Sequence, residues 1–477
     1  MMVHQSSGNE YTRAVAEFVS GLRYETIPAE VRTRLKLLIL DSLGCGIFGA
    51  DLQWSRILQE TLGVMDHSDA AAIWGTTQRI SSPHAALING TQVQGFELDD
   101  VHRQGVLHVG AVTLPALIAI ADAHNDMNGG DFLASALAGY EVGPRVGMCM
   151  GQEHIAQGWH SGATVGVFAG AAGAARGLAL DADKTVHALG IAGTQSAGLM
   201  AAQFGAMVKR MHAGRSSQSG LYGALLANRG FTGIIDVFEA PYGGFASTFS
   251  RSQDRFNLEE LRSGLGENFE TMRISLKFYS CVGSNHTTLD SIRAIQDRRP
   301  FSKDDIEEII VMGSQVTVDH VGWEYRPEGI TSAQLNLPYC VATWLIEGDV
   351  FVEQFTEKAL NDPERLRVLK KVKVAHDPEI TALGSKFRHK VKVEIRFKDG
   401  TSEREEREAP RGSEKSFASE SDIVEKFHKL TAKIMDKRQR DRLVEAVLNI
   451  DKLSSIREFT RLLAAEPAKE RSFHVAS

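Results

Sequence analysis

Cysteine is scarce and scattered in this chain. Cys45, Cys149, Cys281 and Cys340 are the only four among 477 residues and form no CxxC pair, which leaves out a disulfide framework and a cysteine-based zinc site. A basic excess is missing too. Lys and Arg number 53 against 60 Asp and Glu, a formal net charge of -7, so the electrostatic footprint of a nucleic-acid binder is absent. The most apolar stretch, near Val165–Leu180, is broken by Arg176 and rich in glycine; it falls short of the roughly 20 apolar residues a membrane span requires. The opening residues, MMVHQSSGNEYTRAV, hold no apolar signal-peptide core. Phosphate-cradling patterns, GxxxxGK[ST] or a strand followed by GxGxxG, do not occur. These absences predict a cytoplasmic protein with neither a nucleic-acid nor a membrane partner.

What is present is an ordinary globular composition, 43% hydrophobic and 24% charged, on a chain too long for one core, so two domains are expected. Pro28 suits the first turn of a helix over AEVRTRLKLLILDSLGCGIFGA, where Val31, Leu35, Leu38 and Ser42 share a face. Apolar spacing predicts further helices over 54–66, 84–98 and Asp131–Met150. In SGATVGVFAGAAGAARGLALD, Gly162, Gly166, Gly170 and Gly173 recur about one helical turn apart. Each costs up to about 1 kcal/mol against alanine, and close approach of another helix is the reason expected for them. After about residue 270 the pattern changes. EEIIVMGSQVTV is rich in β-branched residues, and Val391, Val393, Ile395 and Phe397 alternate with charges before Asp399-Gly400, a hairpin signal. NLPYCVATWLIEG reads as a buried helix begun near Pro338, and the tail from Ser421 is helical again, with an apolar stripe through Leu443, Val447 and Leu453. The fold class predicted is mainly α: a large all-helical domain formed by residues 1–272 and 412–477, with a smaller α+β domain, 273–411, inserted between them.

Chemistry concentrates in QGFELDDVHRQGVLHVGAVTLPA, residues 94–116. Glu97, Asp99 and Asp100, then His102 and His108, stand at the mouth of an apolar helix. Imidazoles titrate near neutrality and carboxylates fix their tautomer, the equipment of acid/base chemistry. A solvated acidic loop is the bland alternative, and it does not account for two histidines ahead of a buried segment. A second concentration is Lys209, Arg210, His212 and Arg215. Gly214–Ser219 leading into a helix over Gly220–Asn228 makes an anion site at a helix start the favoured reading over a solvated face. A third, RISLKFYSCVGSNHTTLDSI, carries Lys277, Tyr279, Cys281 and His286 across the join of the two domains, where ligands prefer to bind. A lone lysine or cysteine there is more often structural, and Tyr339 has the same status. His154, His187 and His389 are expected to be structural, with His102 intermediate. No HxxxH or HxxE spacing joins the histidines, so no metal is expected.

ELDD followed by His108, GWHSG around His160, MVKRMHAG around Lys209, then LKFYSC and NLPYCVA occur in this order over nearly the whole chain. The set resembles the 2-methylcitrate dehydratase/cis-aconitate decarboxylase family, MmgE/PrpD, and within it is similar to the fungal-type decarboxylases. The resemblance implies that the inserted domain is a lid, that the protein is a homodimer, and that the site between the domains needs no organic cofactor and, in the decarboxylases, no metal. It implies proton-handling histidines at His108 and His160 and substrate-binding lysines at Lys209 and Lys277. Glu97 stands at the family's first acidic position, commonly Asp, and Asp99 and Asp100 match the last two. Val282 stands where mammalian-type members carry a histidine and fungal-type members a cysteine.

The expected substrate is therefore a small di- or tricarboxylate whose charge Lys209, Arg210 and Lys277 balance, since an uncompensated buried carboxylate is expensive. Decarboxylation of cis-aconitate to itaconate is the leading expectation, with His108 delivering the proton, Asp99 or Asp100 orienting an imidazole, His160 as second proton carrier or carboxylate ligand, and Lys209 with them at the catalytic centre. Glu97, Asp100, Arg210, His212, Lys277 and Tyr339 are expected to bind the substrate. Removal of water from a 2-methylcitrate- or citrate-type hydroxy acid would use the same groups, and proton exchange beside a carboxylate would make an epimerase or isomerase of an amino or imino dicarboxylate. A helical scaffold without activity is the remaining alternative.

Overall fold

The computed structural model describes residues 8–465 apart from 125, 152 and 205, and the polar start at 1–7 lies outside them. The first long helix, α1 (Ala29–Gly49), follows Pro28 and buries the expected face, but Leu37, Ile39 and Leu40 are buried as well. A helix apolar all round belongs inside a bundle. Around α1 pack α2 (Ser82–Val93), α3 (Val109–Ala123) and α4 (Gly129–Met150), and α5 (Gly166–Gly177) and α6 (Val208–Asn228) complete the layer. The glycine row does admit neighbours: a Cβ on Gly166 would lie 2.6 Å from Val112, and one on Gly170 3.0 Å from the Val112 carbonyl.

Two expectations about helix ends are corrected. The helix expected over 84–98 stops at Val93, and the ELDD segment is loop. The chain turns at Gly95, where a Cβ would stand 2.7 Å from Leu52 and 2.8 Å from the Gln92 carbonyl. Nor does a helix begin at Gly220. α6 runs unbroken from Val208, and Gly214 is in its interior because α2 crosses there. A Cβ on Gly214 would meet the Leu87 carbonyl at 2.0 Å. The basic residues Lys209 and Arg210 therefore occupy the first turn of α6 itself, while Arg215 is exposed and bonded to Gln218.

Beyond residue 279 a second hydrophobic core forms from Tyr279 to Phe397, joined from outside by Phe96. Its helix α7 (Gly283–Arg298) precedes β3 (Ile306–Gly313), α8 (Gln315–Val321) and α9 (Leu337–Glu347); earlier in the chain, β1 (Val101–His102) and β2 (Ile274–Ser275) form a short two-stranded pair, as Ala71–Ala72 and Arg79–Ile80 also do. Pro338 sits in the first turn of α9 as expected, with the Asn336 side chain accepting from Tyr339 N. β4 (Val372–His376), β5 (Val391–Phe397) and β6 (Ser402–Arg407) complete one sheet in the order β4-β3-β5-β6. β4 runs parallel to β3, with Ile309 opposite Val372, and the other pairs are antiparallel. The β5–β6 hairpin turns at Asp399-Gly400, where Gly400 has φ 84.

The C-terminal helix α10 (Glu420–Thr431) opens with a Ser419/Asp422 capping box and lies on α1, with Phe427 against Gly44. Ile423, Phe427, Leu443 and Val447 belong to the first core, together with residues from Val15 onward. Among the described residues no helix is long and apolar enough to cross a membrane.

Candidate active site

Three separate segments meet at the ELDD loop because short pairings force them to. β1 pairs antiparallel with β2, Val101 opposite Ser275 and His102 opposite Ile274, so Lys277 is drawn beside residues 97–100. From the second core, Ser280 Oγ and Gln334 Nε2 both donate to the Phe96 carbonyl, at 2.9 and 3.2 Å. From the C-terminal helix, Lys426 Nζ bonds Asp41 Oδ1 at 2.6 Å and the Leu98 carbonyl at 2.7 Å. The loop is thus clamped on each side of Glu97. Glu97 itself has φ 57, a left-handed conformation costing a non-glycine residue on the order of 1–2 kcal/mol, and strain of this kind gathers at working sites.

The Glu97 carboxylate is the centre of the cluster. Its Oε1 takes Lys209 Nζ and Arg210 Nη1, each at 2.6 Å, and its Oε2 takes Lys277 Nζ at 3.2 Å. Burial alone would raise its pKa, but Lys209, Lys277 and Arg210 hold it well below the ordinary carboxylate range. The two lysines respond differently. Lys277, buried but close to both Glu97 and Asp99, is raised, whereas Lys209 is lowered by burial and by Arg210 despite its bond to Glu97. Lys209 also sits at the positive end of α6, where a further cation is disfavoured.

Asp99, fully buried, places Oδ2 3.0 Å from His108 Nδ1 and Oδ1 3.9 Å from Lys277 Nζ. His108 Nδ1 also meets the Asp100 carbonyl at 2.9 Å. The Asp100 carbonyl is the hydrogen-bond acceptor that fixes the proton on Nδ1, with the Asp99 carboxylate beside it at ion-pair distance, and Nε2 is left for chemistry. His108 stands immediately before α3, and its side chain keeps 18% exposure while Lys209 keeps 13%. His160 Nδ1 lies 3.0 Å from His212 Nδ1, a geometry that needs one ring to donate and the other to accept. Burial, with Lys209 and His212 next, keeps His160 well below its usual range, and burial with Lys209 lowers His212. Both rings are neutral near pH 7.

Eight of the ten residues expected to form the site are thereby brought together: Glu97, Asp99, His108, His160, Lys209, Arg210, His212 and Lys277. Asp100 and Tyr339 are not. Both Asp100 oxygens accept from Gly110 N, at 3.0 and 3.1 Å, so its carboxyl serves the start of α3 and not the cluster. Burial, then Asp99, pushes it up to about 8. The Tyr339 hydroxyl accepts from Arg365 at 3.0 Å and its ring lies between Tyr325 and Phe355 in the second core. His102 is buried and paired with Glu270 at 3.0 Å, and His154 is bonded to Thr164.

Two residues at the cluster escaped the sequence reading. Gln94 is buried, and neither atom of its amide has a partner among the described residues; it lies with His160 around Gly162. His320, on α8, stands 3.4 Å by Nδ1 from Ser284 Oγ, and burial, then Arg388 and Lys209, lowers its pKa. Neither carries a local signal, since each reaches the site only through the folded chain. Among the described residues no group of three or more His, Cys, Asp or Glu is placed to hold a metal ion. Chemically, the arrangement offers several cations for carboxylates, one imidazole oriented by a carboxylate, and a neutral imidazole pair.

Two family profiles and several named relatives match the chain. The MmgE/PrpD N-terminal domain profile matches residues 13–257, and the MmgE/PrpD C-terminal domain profile residues 279–452. The cis-aconitate decarboxylase-like protein oryM of Aspergillus oryzae is 34% identical over 95% of this chain and 97% of its own length. A cis-aconitate decarboxylase of Aspergillus terreus is 33% identical over 95% of each chain. The human cis-aconitate decarboxylase is 25% identical over 95% of this chain and 94% of its own.

Proposed function

This chain belongs to the MmgE/PrpD family, and from that premise we propose that it is a carboxy-lyase that decarboxylates cis-aconitate to itaconate without an organic cofactor. The observation that carries the reading is the convergence of Lys209, Arg210 and Lys277 on one buried point beside the Asp99–His108 pair. Relatives named for this activity, aligned over nearly the whole chain, support it.

In this reading the substrate carboxylates compete with Glu97 for the three cations, and the Gln94 amide supplies a further donor. The bond from the CH2 carbon to its carboxylate breaks, and the electron pair it leaves forms the new terminal double bond. The electrons of the old double bond shift to the far carbon, which takes a proton from His108 Nε2. Asp99 and the Asp100 carbonyl hold the ring in place and steady its charge, while nearby cations stabilise the carboxylates. His160, in its neutral pair with His212, is the second proton carrier or a carboxylate ligand. Residues 273–411 act as the lid over a helical body built from 1–272 and 412–477. A homodimer is part of the reading, and apolar side chains exposed at both ends of α6, Met207 and Val208 at one and Leu226 and Phe231 at the other, supply surface for it.

The test is incubation with cis-aconitate, 2-methylcitrate and citrate in heavy water, followed by proton NMR. The expected result is vinylidene signals with CO2 release from cis-aconitate alone. An alkene without CO2 from either hydroxy acid makes the enzyme a hydro-lyase, and isotope exchange without either product makes it an epimerase.

A further inference from the structure

A cavity of about 260 Å³ near the cluster has a lining that the chemistry above does not use. Arg103, Arg273, Lys386, Arg388 and Lys415 face it, with Glu414 as the one acidic residue. Three of the cations are already matched: Arg103 by Glu414, Arg273 by Glu270 at 3.3 Å, and Lys415 by Glu408 at 3.3 Å. Among the described residues Lys386 and Arg388 have no side-chain acceptor. Arg388 is partly buried, and burial, then the like charge of Arg103, lowers its pKa. A cation held from water beside another cation is costly without an anion. Its position is also fixed, because Ser314 Oγ and Thr317 Oγ1 donate to the Arg388 carbonyl at 3.1 and 2.9 Å. Those two bonds tie the cavity wall to α8 and its N-cap. His102 and Arg103, which directly follow the ELDD loop, line the cavity, so it stands beside the loop that holds the cluster.

We propose that this cavity is an outer anion subsite, in which Lys386 and Arg388 capture a small polycarboxylate before it passes to the Lys209, Arg210 and Lys277 cluster. The inference rests on the polycarboxylate reading above and extends it to the route of entry. Its volume lies just below the usual range for ligand pockets, about 300–1,000 Å³, which suits a small metabolite and not a nucleotide. A cationic mouth raises capture rates by roughly 10- to 1,000-fold and does so less at high salt.

The experiment compares wild type with the double variant Lys386→Gln/Arg388→Gln, after matched circular dichroism and melting curves show that both fold alike. With cis-aconitate, kcat/KM of the variant is expected to fall about 10-fold at low ionic strength, with kcat unchanged and the gap closing as salt is raised. In parallel, tricarballylate, a saturated tricarboxylate, is titrated calorimetrically, and the variant is expected to bind it more weakly at low salt. Equal kcat/KM, equal salt dependence and equal tricarballylate binding overturn the subsite. Inorganic phosphate is titrated in the same way, and loss of its binding alone, with tricarballylate binding retained, also overturns the subsite in favour of a phosphate site. If wild type does not turn over cis-aconitate, the decarboxylase reading fails separately, and the tricarballylate arm still decides the subsite.

Discussion

Glu97 and Asp100 are three residues apart, equally removed from water, and driven in opposite directions. Above the loop, Glu97 faces Lys209, Arg210 and Lys277 and stays ionised far into the acid range. Below it, Asp100 faces the start of α3 with Asp99 nearby, and burial pushes it up to about 8. Burial acts on both with the same sign, so the neighbours decide the outcome. The upper region stores negative charge that can be exchanged for a ligand's. The lower region stores a proton and serves as scaffold, and His108 bridges the two, taking its side-chain partner from Asp99 and a backbone acceptor from Asp100.

The sharpest way to break this contrast is at the bridge. His108→Ala should reduce itaconate formation by roughly 10²- to 10⁴-fold, the usual worth of a positioned acid, with the melting temperature nearly unchanged. Near-normal turnover would take His108 out of the chemistry. Glu97→Gln comes next in size. Leaving three cations without their carboxylate should lower unfolding stability by about 3–5 kcal/mol, read as a shift in the urea midpoint, and added tricarballylate should restore part of it. A midpoint that does not move would mean that Glu97 is not what balances the cluster.

Asp100→Asn probes the lower region and is the smallest effect. The unfolded Asp loses its proton near pH 4, whereas the native carboxyl keeps it up to about 8. Between those values the native state binds more protons, so raising the pH erodes stability by about 1.4 kcal/mol per unit from this group, and above 8 the erosion stops. The Asn variant should lack this slope. Denaturant melts at pH 5, 6, 7 and 8 for both proteins give the difference directly, and parallel curves would refute the raised carboxyl.

The same contrast explains what could be read in advance. Glu97, Asp99, His108, Lys209 and Lys277 were legible because each lies in a short motif of titratable residues set in apolar or small surroundings. The side to which Asp100 points was not, because adjacent loop residues are separated only by a backbone rotation that no spacing records. The hairpin at Asp399-Gly400 was legible from local turn chemistry, and Pro338 marked the start of its helix. Gly214 was misread as a boundary because a glycine signals a break locally, whereas here it admits the crossing of α2. Gln94, His320 and Arg388 left no trace, since their surroundings come from distant parts of the chain.

Lys426 was equally invisible, and its bond to the Leu98 carbonyl spans 328 positions. A ribosome makes the ELDD loop well before its clamp. The loop therefore cannot reach its final shape on a nascent chain until α10 has emerged, and a product that terminates prematurely before that helix would be left with the motif but not the enzyme.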